Sequence, residues 1–187
     1  INKKTHIVVS KLPRNEDYLT NYDGYVVTTE HFDLANPVTK VDDIPDYEMY
    51  SQTIDSLNKR FGNRVLKGIE IGYIASEKDR IIDYLADKDY DLKLLSVHHN
   101  GQFDYLDDEV KDMDPAIVIP QYFAQLSEAL VVIEADVFAH FDYGFRVFGL
   151  SVAEFKQYEA QFLPILDQVI KNKLAFELNA KSGVRMI

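Results

Sequence analysis

One carboxylate, Glu70, lies in the middle of residues 64–74, a stretch that is otherwise mostly apolar. Burying an isolated carboxylate costs several kcal/mol unless a cation or hydrogen-bond donors satisfy it. A salt bridge to lysine or arginine is one solution, and a bound metal ion is another. Four of the five histidines lie at the ends of other strand-like segments, which favours the metal: His6, His31, His98 and His140.

The composition narrows the choice of ligands and partners. Because cysteine is absent, histidine and carboxylate are the strong metal ligands that remain, and they suit Zn, Mn or Fe. The 31 acidic and 20 basic residues give a net charge of −11. Such a charge repels nucleic acid and anionic membranes and attracts cations.

Hydropathy and targeting signals predict a cytoplasmic protein. The most apolar region, residues 115–141, is interrupted by glutamine and acidic side chains, which argues against a membrane span. No signal peptide is expected, since the first residues lead into a short strand-like segment. The absence of cysteine fits a reducing compartment.

The elements that must position these groups alternate between strand and helix. β-branched apolar segments predict strands, and apolar residues at helical spacing predict helices. The predicted strands are residues 6–10, 25–29, 64–74, 92–97, 136–140 and 173–179, and the predicted helices are 15–22, 48–61, 77–90, 115–129 and 152–173. This alternation indicates a parallel sheet in one α/β domain over residues 1–187, either a barrel or a doubly wound sheet.

In a barrel of this kind, reactive groups gather where the parallel strands end. His31, Glu70, His98 and His140 each lie near such an end, so the fold alone would bring them together. His99 is the exception, because successive strand residues face opposite sides and only one of His98 and His99 can face the site.

Four short motifs occur in order along the chain: Thr29-Glu-His-Phe-Asp33, Gly68-Ile-Glu-Ile-Gly-Tyr73, Ser96-Val-His-His99 and Ala139-His-Phe-Asp142. Together they resemble the polymerase and histidinol phosphatase (PHP) superfamily, above all its histidinol-phosphatase branch. Residues 176–179 and 183–185 resemble the segment that follows in those enzymes. The likeness extends over nearly the whole chain.

The resemblance implies a distorted (β/α)7 TIM-like barrel that binds up to three divalent metal ions and hydrolyses phosphate monoesters. The expected function is that of a metal-dependent phosphatase similar to histidinol-phosphate phosphatase in histidine biosynthesis. Glu70 would bridge metals and take part in catalysis, and His98 and His140 would complete one site with it. His31 would belong to a neighbouring site, and His6 would match the first histidine of the family's opening His-x-His.

Two departures from the family pattern are visible. Val8 replaces the second histidine of the opening motif and cannot bind a metal. The family's closing Asp-x-His does not occur in residues 1–187, so the predicted barrel lacks its last strand. The sequence is therefore either incomplete or that of a degenerate member with a partial metal site, acting as a binding protein with weak or no catalysis.

The remaining candidate residues concern the substrate. Asp142 is either the acid that protonates the leaving alkoxide or a residue that orients His140. Arg146 and Arg185 suit bidentate contacts with phosphate, or else form surface salt bridges. Tyr73 either lines the pocket or packs in the core.

The expected partner is a small phosphorylated substrate, with neither nucleic acid nor membrane, and an oligomer is compatible with the sequence. A proofreading role, as this fold has in bacterial DNA polymerases, is disfavoured by the acidic charge and by the lack of an appended domain.

Overall fold

Six parallel strands form one sheet, and their order in the sheet follows their order in the chain. The computed structural model of the chain describes residues 19–177 and the backbone of residues 6–10. The strands are β1 (His6–Ser10), β2 (Tyr25–Asp33), β3 (Val65–Gly72), β4 (Leu92–Ser96), β5 (Val137–Phe138) and β6 (Ala175–Phe176). Within the described residues the sheet is open, with β1 and β6 as its edges.

Helices connect most of the strands, as parallel pairing requires. They are α1 (Tyr47–Phe61), α2 (Lys78–Leu85), α3 (Pro115–Val132), α4 (Val152–Phe155) and α5 (Glu159–Lys171). Short 3₁₀ turns occupy Ala75–Glu77, Asp108–Asp112, Tyr143–Phe148 and Lys156–Tyr158. The predicted α/β fold with a parallel sheet is confirmed.

Local sequence signals account for the helix boundaries. The carboxylate of Asp46 caps α1 by accepting from the N–H of Met49, and Gly62 ends α1 in the left-handed conformation. Asp114 caps α3, with Pro115 at its first position.

The long helix predicted over residues 152–173 is interrupted. A capping box between Ser151 and Glu154 begins α4 as the sequence indicates, but α4 ends at Phe155. A 3₁₀ turn follows, and α5 then continues to Lys171. The helix predicted over 15–22 lies mostly outside the described residues.

Helix α3 packs against α5, the Tyr143–Phe148 turn and β4, and one of its faces enters the core. This helix is long and apolar enough to cross a membrane, but the core helices of soluble proteins can have the same length and mean hydropathy. Its inward face is buried, through Val118, Ile119, Tyr122, Phe123, Leu126, Ala129 and Leu130.

The parallel register brings the chemically interesting residues to one edge of the sheet. His31 on β2 pairs directly with Glu70 on β3, and Glu70 pairs with Leu94 on β4. His98 and His140 each follow the last residue of their strand by two positions. All four therefore lie at the carboxyl ends of adjacent strands.

Tyr50 fastens α1 to the sheet. Its hydroxyl lies 2.8 Å from the carbonyl oxygen of Thr28 and 2.9 Å from that of Gly68, and it also contacts the Thr28 hydroxyl. Burial raises the pKa of Tyr50, so the hydroxyl stays protonated and remains a donor.

We expect Tyr50→Phe to lower the free energy of unfolding by about 1–3 kcal/mol, because buried polar groups of two strands lose their partner. Urea denaturation measures this change. Tyr158→Phe, at a half-buried tyrosine far along the chain, is the matched control and should change stability by less than about 0.5 kcal/mol. Equal effects of the two substitutions would contradict the prediction.

Candidate metal centre

Glu70 is the centre of a cluster of imidazoles. Its Oε1 lies 2.8 Å from Nε2 of His140 and 3.1 Å from Nε2 of His98, and its Oε2 lies 3.6 Å from Nε2 of His31. Glu70 is only 7% exposed, and no lysine or arginine is within ion-pair distance of it among the described residues. The buried carboxylate is therefore satisfied by histidine, not by a conventional salt bridge.

Asp33, at the end of β2, lies behind two of these imidazoles. Its Oδ1 is 2.7 Å from Nδ1 of His98, and its Oδ2 is 3.3 Å from Nδ1 of His31. A methyl group in place of the Gly72 hydrogen would collide with Oδ1 of Asp33. Glycine at this position is thus required for Asp33 to reach His98 across the end of β3.

His140 is held differently. Its backbone N–H donates to Oε2 of Glu177, at 2.7 Å. Its Nδ1 is buried and has no hydrogen-bond partner within the described part of the chain. The ring centroid lies 5.2 Å from that of His98 and 4.9 Å from that of Tyr143.

These groups face a cavity of about 410 Å³ at the carboxyl edge of the sheet. Asp104, Tyr143, Arg146 and Glu177 also line it. Among the lining residues that the structure describes, Arg146 carries the permanent positive charge. The cavity thus combines a carboxylate and imidazole cluster with one guanidinium.

The electrostatics of the metal-free cluster follow from its burial and pairing. Burial acts to raise the pKa of Glu70, but hydrogen bonds from His140 and His98 outweigh it and hold that pKa well below its usual value. Burial acts to lower the pKa of His98, but the carboxylates of Asp33 and Glu70 raise it to about 10. The hydrogen bond to Asp33 likewise raises the pKa of His31.

The donor set fits a divalent cation. One ligand atom each from His31, Glu70 and His98 lies within 4.8 Å of the others, and Nε2 of His140 contacts the same carboxylate. Imidazole nitrogen and carboxylate oxygen are ligands that zinc and related metals use in proteins. A cation at this position would replace the protons that now join the imidazoles to Glu70.

We expect the stability of the metal-free protein to fall with rising pH. The pKa of His98 rises from 6.5 to about 10 on folding, so its contribution is complete below the lower value and is lost as the pH passes through the higher one. Zinc should reverse this trend, because metal affinity increases as the ligands deprotonate.

Urea denaturation at several pH values, with chelator or with zinc, measures both trends. A metal-free stability that does not change between about pH 6.5 and pH 9 would contradict the prediction.

The structure brings four predicted ligands together, namely His31, Glu70, His98 and His140. As the strand alternation indicates, His98 faces the cavity, whereas His99 is buried behind it and accepts from the N–H of Gly101. The side chain of His6 and the whole of Arg185 lie outside the described residues.

Tyr73 does not line the cavity, which argues against its assignment as a substrate-binding residue and favours the alternative of core packing. It is 1% exposed and packs in the core. The reason is the strand period, because Tyr73 comes three residues after Glu70 and therefore faces the opposite side.

Asp142 and Arg146 form a bidentate ion pair, with two N–H···O contacts of 2.9 Å. Both carboxylate oxygens of Asp142 are thereby directed at the guanidinium, which does not fit the predicted leaving-group acid. Arg146 lines the cavity, as expected of a phosphate-binding residue.

Three acidic residues that line the cavity were not predicted from the sequence, namely Asp33, Asp104 and Glu177. Asp33 had a usable signal, since it lies two positions after His31 and so shares its face of β2. Asp104 lines the cavity from a loop and accepts from the Tyr143 hydroxyl at 3.2 Å. Neither Asp104 nor Glu177 has a local pattern that distinguishes it from surface acids.

The fold and the site define the chain as an α/β protein whose parallel sheet carries a candidate metal centre at its carboxyl edge. The family model described as PHP domain matches residues 16–181, and the chain belongs to that family. The resemblance noted in its motifs is therefore confirmed.

A solved structure gives the same fold. The histidinol phosphate phosphatase from Lactococcus lactis subsp. lactis Il1403, in complex with zinc, L-histidinol and phosphate, superposes with a TM-score of 0.80 and 20% sequence identity. The match covers 94% of this chain and 73% of that chain. Among curated proteins, no significant match is found.

Proposed function

We propose that this chain is a metal-dependent phosphate monoester hydrolase that acts on histidinol phosphate or a close analogue. The observation that carries the proposal is the convergence of three imidazole Nε2 atoms on the buried carboxylate of Glu70, in a cavity that also holds Arg146. The fold of the Lactococcus enzyme, which was solved with zinc, L-histidinol and phosphate, supports it.

A divalent ion, Zn, Mn or Fe, supplies an activated water and polarises the phosphoryl group when bound. Glu70, His31, His98 and His140 would hold it. Arg146 would bind the phosphoryl oxygens of the substrate through charged hydrogen bonds. Asp142 would keep the guanidinium plane in a fixed orientation.

The proposal extends to the architecture. A sequential strand order is what a (β/α) barrel requires, and within the part of the chain that the structure describes β1 and β6 are edges where further strands could pair. We infer a distorted (β/α)7 barrel of the PHP type in one domain. It would bind fewer than three metal ions if Val8, in place of a ligand histidine, weakens the site formed by the opening motif. Cytoplasmic location, and independence from nucleic acid and membrane, belong to the same proposal.

The direct test is hydrolysis of histidinol phosphate by purified protein loaded with zinc or manganese. Phosphate release should depend on the metal, disappear with a chelator and return when the metal is restored. p-Nitrophenyl phosphate serves as the comparison ester. Protein that holds metal stoichiometrically but releases no phosphate from either ester would overturn the proposal.

A binding protein without catalysis is the second candidate, favoured by Val8 in place of a ligand histidine. Calorimetry with L-histidinol and phosphate separates the two. Binding of either compound without turnover would identify the binding protein.

For Arg146, we expect replacement by glutamine to raise the KM for a phosphate ester more than it lowers kcat. Losing hydrogen bonds between charged groups costs about 1.5–3 kcal/mol, which corresponds to roughly 10–150-fold in binding. Arg80→Gln is the matched control, because Arg80 is exposed and pairs with Asp42 and Glu77. Equal KM and kcat values for the two variants would show that Arg146 does not bind the phosphate group.

A further inference from the structure

Two imidazoles of the cluster share one partner on the side away from Glu70. Oδ1 of Asp33 lies 2.7 Å from Nδ1 of His98, and Oδ2 lies 3.3 Å from Nδ1 of His31. Asp33 is 7% exposed. Each of its oxygens therefore faces a different ring in a buried setting.

A carboxylate only accepts hydrogen bonds. Both contacts therefore keep a proton on Nδ1 of each ring, so that Nε2 is the nitrogen that loses its proton and coordinates when a metal ion binds. The two Nε2 atoms are the ones that face Glu70, at 3.1 Å for His98 and 3.6 Å for His31. One side chain thus selects the coordinating nitrogen of two ligands at once.

We propose that Asp33 is a positioning residue that fixes both His31 and His98 for coordination through Nε2. The inference rests on the proposed metal centre, but not on the reaction carried out there. Only a residue with two acceptors can serve both rings, since an asparagine in the same place offers one acceptor and one donor group.

The backbone around Asp33 is built to hold this position. Asp33 and Asp43 exchange two backbone hydrogen bonds, of 2.9 and 2.7 Å, which pin the end of β2 to the following loop. Gly72 on the adjacent strand leaves the space that the carboxylate occupies. The orientation of Asp33 is therefore set by two neighbouring segments.

His140 provides an internal control, because its Nδ1 has no hydrogen-bond partner within the described residues. Its position depends instead on its own backbone contact with Glu177. Changes at Asp33 should therefore alter His31 and His98 and leave His140 unaffected.

The test uses ¹⁵N-histidine-labelled full-length protein loaded with ¹¹³Cd. Cadmium–nitrogen couplings in NMR spectra identify the coordinating nitrogen of each histidine, and competition with a chromophoric chelator gives the affinity for zinc. We compare wild type, Asp33→Asn and Asp33→Ala with Asp42→Asn, which makes the same change in charge at a partly exposed residue that pairs with Arg80 and accepts from the N–H of Ala35.

We expect couplings to Nε2 of His31, His98 and His140 in the wild type. Asp33→Ala should remove or move the couplings of His31 and His98, retain that of His140, and weaken zinc binding about 10–100-fold. Asp33→Asn should preserve one of the two Nε2 couplings and give an intermediate loss. Asp42→Asn should match the wild type.

Coupling to Nδ1 of His31 or His98 in the wild type would overturn the proposal. The proposal would also be overturned if either Asp33 variant kept the Nε2 couplings of both rings and a zinc affinity within twofold of wild type. A wild-type protein that takes up no cadmium would overturn it as well. Because no substrate is present, a failure to hydrolyse phosphate esters would count against the proposed function alone and would not alter this result.

Discussion

Replacing Glu70 by glutamine is expected to abolish metal-dependent phosphate release and to weaken zinc binding by more than about 100-fold. Losses of 10–100-fold are typical when a residue that merely supports a ligand is removed, and Glu70 is itself the group on which the imidazoles converge. The amide of glutamine is neutral, so it cannot balance the charge of a divalent ion.

The substitution also alters the metal-free cluster. The amide would present one oxygen and one NH₂ group to rings that now donate to a carboxylate. Its NH₂ group would face a ring nitrogen that carries a proton. We therefore expect a repulsive contact with one histidine and a lower free energy of unfolding in chelator, measurable by urea denaturation.

Glu30→Gln is the matched control for Glu70→Gln. Glu30 precedes His31 on β2, is partly exposed and does not line the cavity. Zinc affinity and phosphate release should stay within about twofold of wild type, a difference worth less than 0.5 kcal/mol. Wild-type metal affinity in Glu70→Gln would show that Glu70 is not a ligand and that the histidines are held by hydrogen bonding alone.

Replacing Gly72 by alanine is expected to disable the centre without changing any polar group. The new methyl would overlap Oδ1 of Asp33 and lie 3.2 Å from Nδ1 of His98. Overpacking of this kind costs about 1–3 kcal/mol of stability. The side chain of Asp33 must move, because the new methyl is fixed to the backbone of β3.

Gly68→Ala separates site damage from general strain. Gly68 lies on the same strand, and its added methyl would meet the carbonyl oxygen of Thr28 at 2.7 Å and the side chain of Thr29 at 2.9 Å, with no histidine among its three nearest atoms. Both variants should be destabilised, but only Gly72→Ala should lose zinc affinity, by about 10–100-fold. Equal zinc affinity in the two variants would show that Asp33 accommodates the methyl without releasing His98.

The ligand set was largely predictable from the sequence. A lone carboxylate in an apolar strand and histidines where other strands end are strong signals, because both are costly to bury without a partner. Alternation along a strand also separates His98 from His99 correctly. The same rule places Tyr73 on the side of the strand opposite Glu70, so the core position of Tyr73 could have been predicted from the sequence.

The pairings around the ligands were not predictable. Asp33 and His98 are separated by 65 residues in the chain, and His140 and Glu177 by 37. No local pattern records these contacts. They depend on the register of adjacent strands and on the space beside Gly72, both of which exist only in the folded chain.

The α/β class, the parallel pairing and the residues able to bind a metal can be read from the sequence, since they follow from residue chemistry and from periods of about 2 and 3.6 residues. The folded structure is needed to show which oxygen faces which nitrogen, that Arg146 pairs with Asp142, and that Asp33 supports two ligands. Such distances are set by packing between strands and loops distant in the chain, to within fractions of an ångström. Residue order alone does not encode them locally.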